Sequence, residues 1–540
     1  MQARVPTRRE RLEALGTRQF DLLVIGGGIT GCGIAYEATT RGLAVALVDK
    51  ADFAGGTSSR SSRLVHGGVR YLEHGHIHLV FESSAERHAL LRLAPHLVRP
   101  LEFTWPVYEG ARISRWKLGA GLFAYDALAL FRNVARHHRL SHDAVLEREP
   151  ALQPYGLKGG ASYFDAATDD ARLTLANALG ALEAGAVIVN HAGVTRLIVE
   201  NGHARGAVVD DELGGGQVDV RAHMVVNATG PWSDEVRSLD GDPSATVHGS
   251  KGAHIAVPRA RLGNRSAVTM ISPEDGRVLF ALPAGAFAII GTTETETRAR
   301  PDDVRASGED VRYLIAAANW FFPTSELHEA DVVSAWAGIR PLVAHDAVKA
   351  GALSREHAIQ TSQHGVVSIT GGKLTTYRVM ARDVVDSATR RLGDSATRRK
   401  AARTRMRPLP GGDFESLPDL VGHIADTTHD AVLAEHLASS FGTRWRDAWS
   451  EIATDATRIV EELPYTVGEL RYSARSEMAE TIGDLLIRRT HLAFETRDHG
   501  LSVAPRVARA VAPTLGWDER ATKAAVDAYE REAGRIFTVE

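Results

Sequence analysis

Gly26, Gly28 and Gly31 stand in the spacing G-x-G-x-x-G, and an acid, Asp49, follows at the offset that dinucleotide sites use, about twenty residues. The glycines serve three physical needs, namely a tight turn, a bare backbone for a pyrophosphate to approach, and a helix lying close on a strand. A carboxylate at Asp49 would accept hydrogen bonds from a ribose 2′-OH and repel a 2′-phosphate. A second cluster lies in the polar loop Asp52 to Gly75, where Ser58, Ser59, Ser61, Ser62, Arg60, Arg63, His66, Arg70 and Tyr71 are interspersed with glycines. That mixture suits a segment wrapping a phosphate-bearing cofactor while presenting cations and a histidine to a substrate. A third is Thr370 to Arg378, TGGKLTTYR, in which a double glycine, Lys373 and threonines describe a helix N-terminus aimed at an anion. Arg340, in WAGIRP, precedes a proline and reads as a loop residue.

Apolar patterning supplies the elements that must hold these residues. Leu22 to Ile25 predicts a buried strand, Thr30 to Arg41 a helix whose N-terminus faces the phosphates, and Ala44 to Val48 a second strand, together an ADP-binding βαβ unit. Ile77 to Leu93 predicts a helix and Ala186 to His191 a short strand. Ala204 to Val209 and Gln217 to Val220 flank Gly214 to Gly216 as a hairpin, and His223 to Gly230 is a returning strand followed by Pro231 and Trp232. A βαβ unit, an inserted hairpin and a returning strand is the chain order of large two-domain flavoproteins. AHIAVP, VLFALP and FAIIGTTE predict a mixed sheet over a substrate cavity, and Val366 to Ile369 one more strand. Pro408 to Gly412 punctuates the chain; beyond Leu417 it is helical in character, including Ser476 to Phe494 and Asp518 to Ala533.

The expected fold is therefore α/β (α+β mixed): an FAD-binding Rossmann-like domain interleaved with a mixed-sheet substrate domain, plus an all-α C-terminal domain. The expected boundaries are an extension over 1–19, a discontinuous cofactor domain over 20–75, 160–246 and 350–390, and a substrate domain over 76–159 and 247–349. A basic linker over 391–412 and a helical domain over 413–540 complete the chain.

At 540 residues the chain is too long for one core. A net charge of −4 argues against nucleic-acid binding. One cysteine, Cys32, excludes an internal disulfide and points to a reducing compartment, the cytoplasm; inside the phosphate helix it reads as a small packed residue. The basic N-terminus lacks the apolar region of a secretory signal, and no apolar run is long enough to span a membrane. No Cys/His cluster has metal spacing, so no metal is expected.

With these residues laid out, the chain resembles the FAD-dependent glycerol-3-phosphate dehydrogenases of the aerobic, respiratory type. The resemblance rests on VIGGGITGCGIA, GTSSRSSRLVHGGVRYLEHG, DDARLTLAN, VNATGPW, KGAHIAVP, IIGTTE, GIRPL and TGGKLTTYR, occurring in this order. It implies oxidation of the C2 hydroxyl of sn-glycerol 3-phosphate to dihydroxyacetone phosphate, with FAD as cofactor and a membrane quinone as acceptor. It also implies His66, Arg70 and Tyr71 in an active-site segment, Arg340 on the substrate, Lys373 near flavin and substrate, and Lys251 and His254 in the cavity. The FAD contacts implied at the dinucleotide turn are Gly26, Gly27, Gly28, Ile29, Thr30, Gly31, Asp49 and Lys50. Those in the loop are Thr57, Ser58, Ser59, Ser61, Ser62, Leu64, His66, Gly67 and Gly68. The rest are Ala228, Gly230 and Trp232 in the returning strand's turn, and Gly372, Lys373, Leu374 and Thr375 at the flavin end.

Arg340 and Arg70 would hold the phosphate, since a guanidinium fork matches it. His66 or His254 would take the hydroxyl proton; the sequence leaves both open. A quinone acceptor asks for contact with an anionic lipid surface, for which Trp116 to Phe131, with basic neighbours, and the basic stretch Arg390 to Arg407 are candidates. The chain would then lie in the cytoplasm, bound peripherally to the inner face of the membrane, as a homodimer. The alternatives are a glycerol-3-phosphate oxidase using O₂, an amine or amino-acid oxidase of the same superfamily, and a non-catalytic flavin-binding regulator.

Overall fold

A computed structural model describes residues 4–69, 76–129, 133–242, 247–343, 356–393 and 401–540. Two sheets organise them. At the centre of the first, eight-stranded sheet is Gln19–Ile25, paired in parallel with Val45–Val48 on one side and Gln217–Asn227 on the other. Val187–Val189 extends one flank; Val367–Gly371 and the antiparallel His357–Thr361 extend the other. Their near-continuous Val, Ile and Leu runs are what parallel strands covered on both faces require. Gln217–Asn227 serves twice. Its first half forms the expected hairpin with His203–Asp211, to which Ala192–Glu200 is added, and its second half is the returning strand beside Gln19–Ile25.

The phosphate helix Ile29–Thr40 packs between the helices Asp170–Glu183 and Tyr377–Leu392. Small residues permit that: a Cβ at Gly33 would come within 2.8 Å of the Tyr377 ring. Cys32 is fully buried, its thiol donates to the Gly27 carbonyl, and burial pushes its pKa well above the ordinary thiol value. It is a packing residue.

The second sheet has ten strands. From the Ser334–Val343 edge the order runs through Val247–Pro258, Phe287–Gly291, Val278–Ala284, Ala267–Ile271, Val98–Tyr108 and Leu157–Thr168 to Leu64–Val65. Its core is shared with the C-terminal region: Phe103, Trp105 and Trp336 belong to one cluster with Leu485, Phe494, Val507 and Phe537. The helices Leu417–Thr428, Ala431–Phe441 and Trp445–Ile452 have a smaller core of their own.

Three expectations change. Arg340 lies in a strand, not a loop: Ser334–Val343 pairs along its ten residues with Val247–Pro258, and Pro341 is tolerated because this strand is the edge of its ladder. Leu157–Thr168 stays in the second sheet throughout, so the chain leaves that sheet at Asp169 rather than at 160. Ser476 to Phe494 is not one helix but a helix end, a π-helical stretch over Asp484–Arg489 and the start of the short Leu492–Glu495 helix. The described part of the basic linker is anchored at two points, Thr404 donating to buried Glu37 and Leu409 bonded to the Leu93 carbonyl, while Arg403, Arg405 and Arg407 stay exposed. Among the described residues no helix is long and apolar enough to cross a membrane.

Candidate active site

One cavity of about 1520 Å³ runs between the two sheets and is closed on a third side by the C-terminal helix Glu519–Phe537. Single-ligand sites are typically about 300–1,000 Å³, so there is room for a large cofactor and a substrate.

At one end is the glycine turn. Gly26 has φ +109°, and a Cβ there would sit 2.6 Å from the Ala228 carbonyl oxygen. A Cβ on Gly31 would lie 1.8 Å from the Gly26 oxygen, so the helix can start there only because both are glycine. The helix N-terminus is capped by no side chain of its own; Ser58 Oγ, from the following loop, accepts from Ile29 N–H at 3.0 Å. Asp49 accepts from Gly27 N–H at 2.5 Å and Ala51 N–H at 2.7 Å, and burial outweighs these donors to push its pKa up to about 6. Lys50 lies over the Trp232 ring at 4.7 Å, and both reach Asp302, the lysine at 3.3 Å and the indole N–H at 3.2 Å.

At the other end, side chains from distant segments converge. Arg340 is 3.0 Å from Thr292 Oγ1 and 3.4 Å from Ser250 Oγ. A Cβ on Gly252 would lie 2.6 Å from Arg340 Nη2, so that glycine makes room for the guanidinium. His254 is stacked on Trp336, ring centroids 5.5 Å apart, with Nε2 2.8 Å from Ser62 Oγ. Burial, then Arg340, then Arg63 push its pKa down to about 3. His66 lines the cavity, with its backbone N–H held by Thr375 Oγ1 at 3.1 Å. Lys373 Nζ reaches Ser83 Oγ at 3.4 Å, on the helix Ile77–Leu93.

Most residues expected around the cofactor line this cavity: Gly26, Gly28, Ile29, Thr30, Asp49, Lys50, Thr57, Ser58, Ser61, Ser62, Leu64, His66, Gly68, Ala228, Gly230, Trp232, Gly372, Lys373, Leu374 and Thr375. Arg340 and His254 line it too. Lys251 does not. It stands three residues before His254 on one strand, and alternation sends the two to opposite faces; its Nζ pairs instead with Asp310 at 2.7 Å. Gly27, Gly31, Ser59 and Gly67 lie behind the wall, where they shape it: Ser59 is buried and turned back on the Gly56 carbonyl, and Gly67 is packed against Tyr125 and Ser84. Ser61, at the rim, bonds Asp170 through both N–H and Oγ. Arg70 and Tyr71 lie outside the described residues.

Sequence reading missed Asp165 and the C-terminal wall, including Trp517, Ala525 and Arg535. The two-residue repeat Tyr163, Asp165 along a strand was the available signal for the first; nothing local marked the second. Among the described residues, Asp52, His191 and Asp484 could together present metal ligands, but Arg488 pairs with both carboxylates and Arg489 with Asp52. Guanidiniums so placed repel a cation.

A glycine turn at a helix N-terminus, an acid at the next strand's end and a cavity extending to a second sheet define an FAD-dependent oxidoreductase. The family model described as FAD dependent oxidoreductase matches residues 21–378, and that of the C-terminal domain of alpha-glycerophosphate oxidase matches 402–522. Glycerol-3-phosphate dehydrogenase 2 of Mycobacterium tuberculosis is 38% identical over 93% of this chain and 86% of its own. The aerobic glycerol-3-phosphate dehydrogenase of Staphylococcus saprophyticus is 35% identical over 97% and 96%. A crystal structure of the glycerol-3-phosphate dehydrogenase from Bacillus halodurans complexed with FAD superposes with a TM-score of 0.82 at 32% identity, covering 99% of both chains. The chain belongs to the family of aerobic, FAD-dependent glycerol-3-phosphate dehydrogenases. FAD is its cofactor, and the turn fits it: Gly26 and Gly28 present bare backbone where a side chain would crowd Ala228 or Ser58.

Proposed function

We propose that the protein oxidises sn-glycerol 3-phosphate at C2 to dihydroxyacetone phosphate and delivers the electrons to a membrane quinone. The observation that carries this is that Arg340, His66 and Lys373 all line the FAD cavity, in a chain whose relatives bear the dehydrogenase's name. FAD, when bound, accepts the hydride. Arg340 binds the phosphate dianion by its fork and so fixes which carbon faces the cofactor. Such positioning can supply several kcal/mol of the barrier, about 7–11 at the limit. His66 takes the C2 hydroxyl proton. His254 is poorly suited, because an imidazole held at about 3 and bonded to Ser62 is too weak a base. Lys373 places positive charge where negative charge develops.

The quinone reading is favoured by the surface near the helix Arg115–Leu128. Its inner face is buried through Leu118, Leu122 and Tyr125, while Trp116 is 73% and Phe123 60% exposed, and Ile77 and Phe81 are exposed nearby. Arg112, Arg115, Lys117 and Arg136 lie close along the chain, the composition of a face that rests on anionic lipid. The test is anaerobic. Glycerol 3-phosphate should bleach the flavin of the holoenzyme, and a soluble quinone analogue should restore it faster than air does. Faster recovery in air would make the protein an oxidase.

A further inference from the structure

Asp165 lies on the cavity face of the strand Leu157–Thr168 and is 4% exposed. Its two oxygens have unlike surroundings. Oδ1 receives three donors: the Gly67 N–H at 3.1 Å, the Tyr125 hydroxyl at 2.6 Å and the Arg87 guanidinium. Oδ2 accepts from no described residue. Oδ2 opens onto the cavity, and a side chain pinned through its other oxygen cannot turn away, so Oδ2 is held ready for a donor from the cavity. The geometry therefore points to a ligand donor in the cavity.

The fold says which ligand. Arg340 and Asp165 belong to strands near opposite ends of the second sheet, yet one short segment joins those ends. Thr57 donates to the Ile339 carbonyl, Ser62 is bonded to His254, and Leu64–Val65 pairs with Ala166–Ala167 beside Asp165. Ser62 and Val65 are three residues apart, at most about 11 Å along the chain, so this segment ties both strands to the one cavity that Arg340 and Asp165 line. Resting on the reading of Arg340 as the phosphate site, we propose that Asp165 Oδ2 accepts a hydrogen bond from the C1 hydroxyl of glycerol 3-phosphate. It thereby determines specificity for a free hydroxymethyl group. Its other oxygen holds the backbone beside His66, so the same side chain registers the substrate against the proton acceptor.

The test compares glycerol 3-phosphate with its analogue carrying fluorine in place of the C1 hydroxyl, on the FAD-loaded enzyme. Wild type should prefer the natural substrate at least tenfold in kcat/KM, because fluorine cannot donate to a carboxylate. In Asp165→Asn the three donors keep the amide oxygen in the Oδ1 position and turn the NH₂ toward the ligand, so that preference should fall at least fivefold. A purely structural role would lower both substrates together and leave the ratio unchanged, which would overturn the proposal. A wild type indifferent to fluorine would overturn it without any variant. A wild type that oxidises neither compound would refute the glycerol 3-phosphate reading itself.

Discussion

The two ends of the cavity are built on different principles. The dinucleotide end is backbone: contiguous residues from Phe20 to Asp49 make a strand, a turn and a helix, and the glycines act by lacking side chains. The other end is side chains: Arg340, His254, His66, Lys373 and Asp165 come from five separate segments, and each segment is tied by a hydrogen bond to a residue distant in sequence. Damage at the first end should therefore remove the cofactor, whereas damage at the second should leave it bound and spoil the chemistry.

The largest effect expected is at the backbone end. Gly31→Val puts side chain where the Gly26 carbonyl already stands, and the purified protein should carry almost no FAD by its visible spectrum. FAD retained at wild-type occupancy would break the contrast. At the other end, His66→Gln should keep the flavin but lower kcat by about 10²–10⁴-fold, the usual worth of a positioned general base. His254→Gln sharpens the assignment through pH. The folded-state pKa of about 3 lies below the unfolded value of about 6.5, so the native state binds fewer protons between these values. This histidine thus costs stability progressively as pH falls from about 6.5 towards 3, and contributes no slope above. The glutamine variant should lose less stability between pH 7 and pH 4 than wild type does, read as the shift in urea midpoint. The smallest effect is Lys251→Met: about 1 kcal/mol of stability lost with the part-buried Asp310 pair, and kcat/KM within about threefold of wild type.

The same division decides what was legible. Gly26, Gly28, Gly31 and Asp49 could be read because their roles depend on local conformation, and spacing along the chain is spacing in the turn. Lys251 misled because proximity in a motif was taken for proximity in space, although strand alternation separates it from His254. Arg340 lines the cavity, but from a strand the sequence did not show: Pro341 suggests a loop to anyone who cannot see that the strand is an edge. Asp165 escaped because the alternation of Tyr163 and Asp165 along a strand marks a face without saying what that face meets, and the C-terminal wall because the alanine face of the final helix carries no signature until the helix closes over the cavity.

The central claim is that the substrate end recognises a phosphate through Arg340. The direct measurement is the anaerobic rate of flavin bleaching by glycerol 3-phosphate, wild type against Arg340→Ala, with FAD content matched. Wild type should bleach rapidly, and the variant should lose about 10²–10³ in the apparent second-order rate. A variant that bleaches within about threefold of wild type would contradict it.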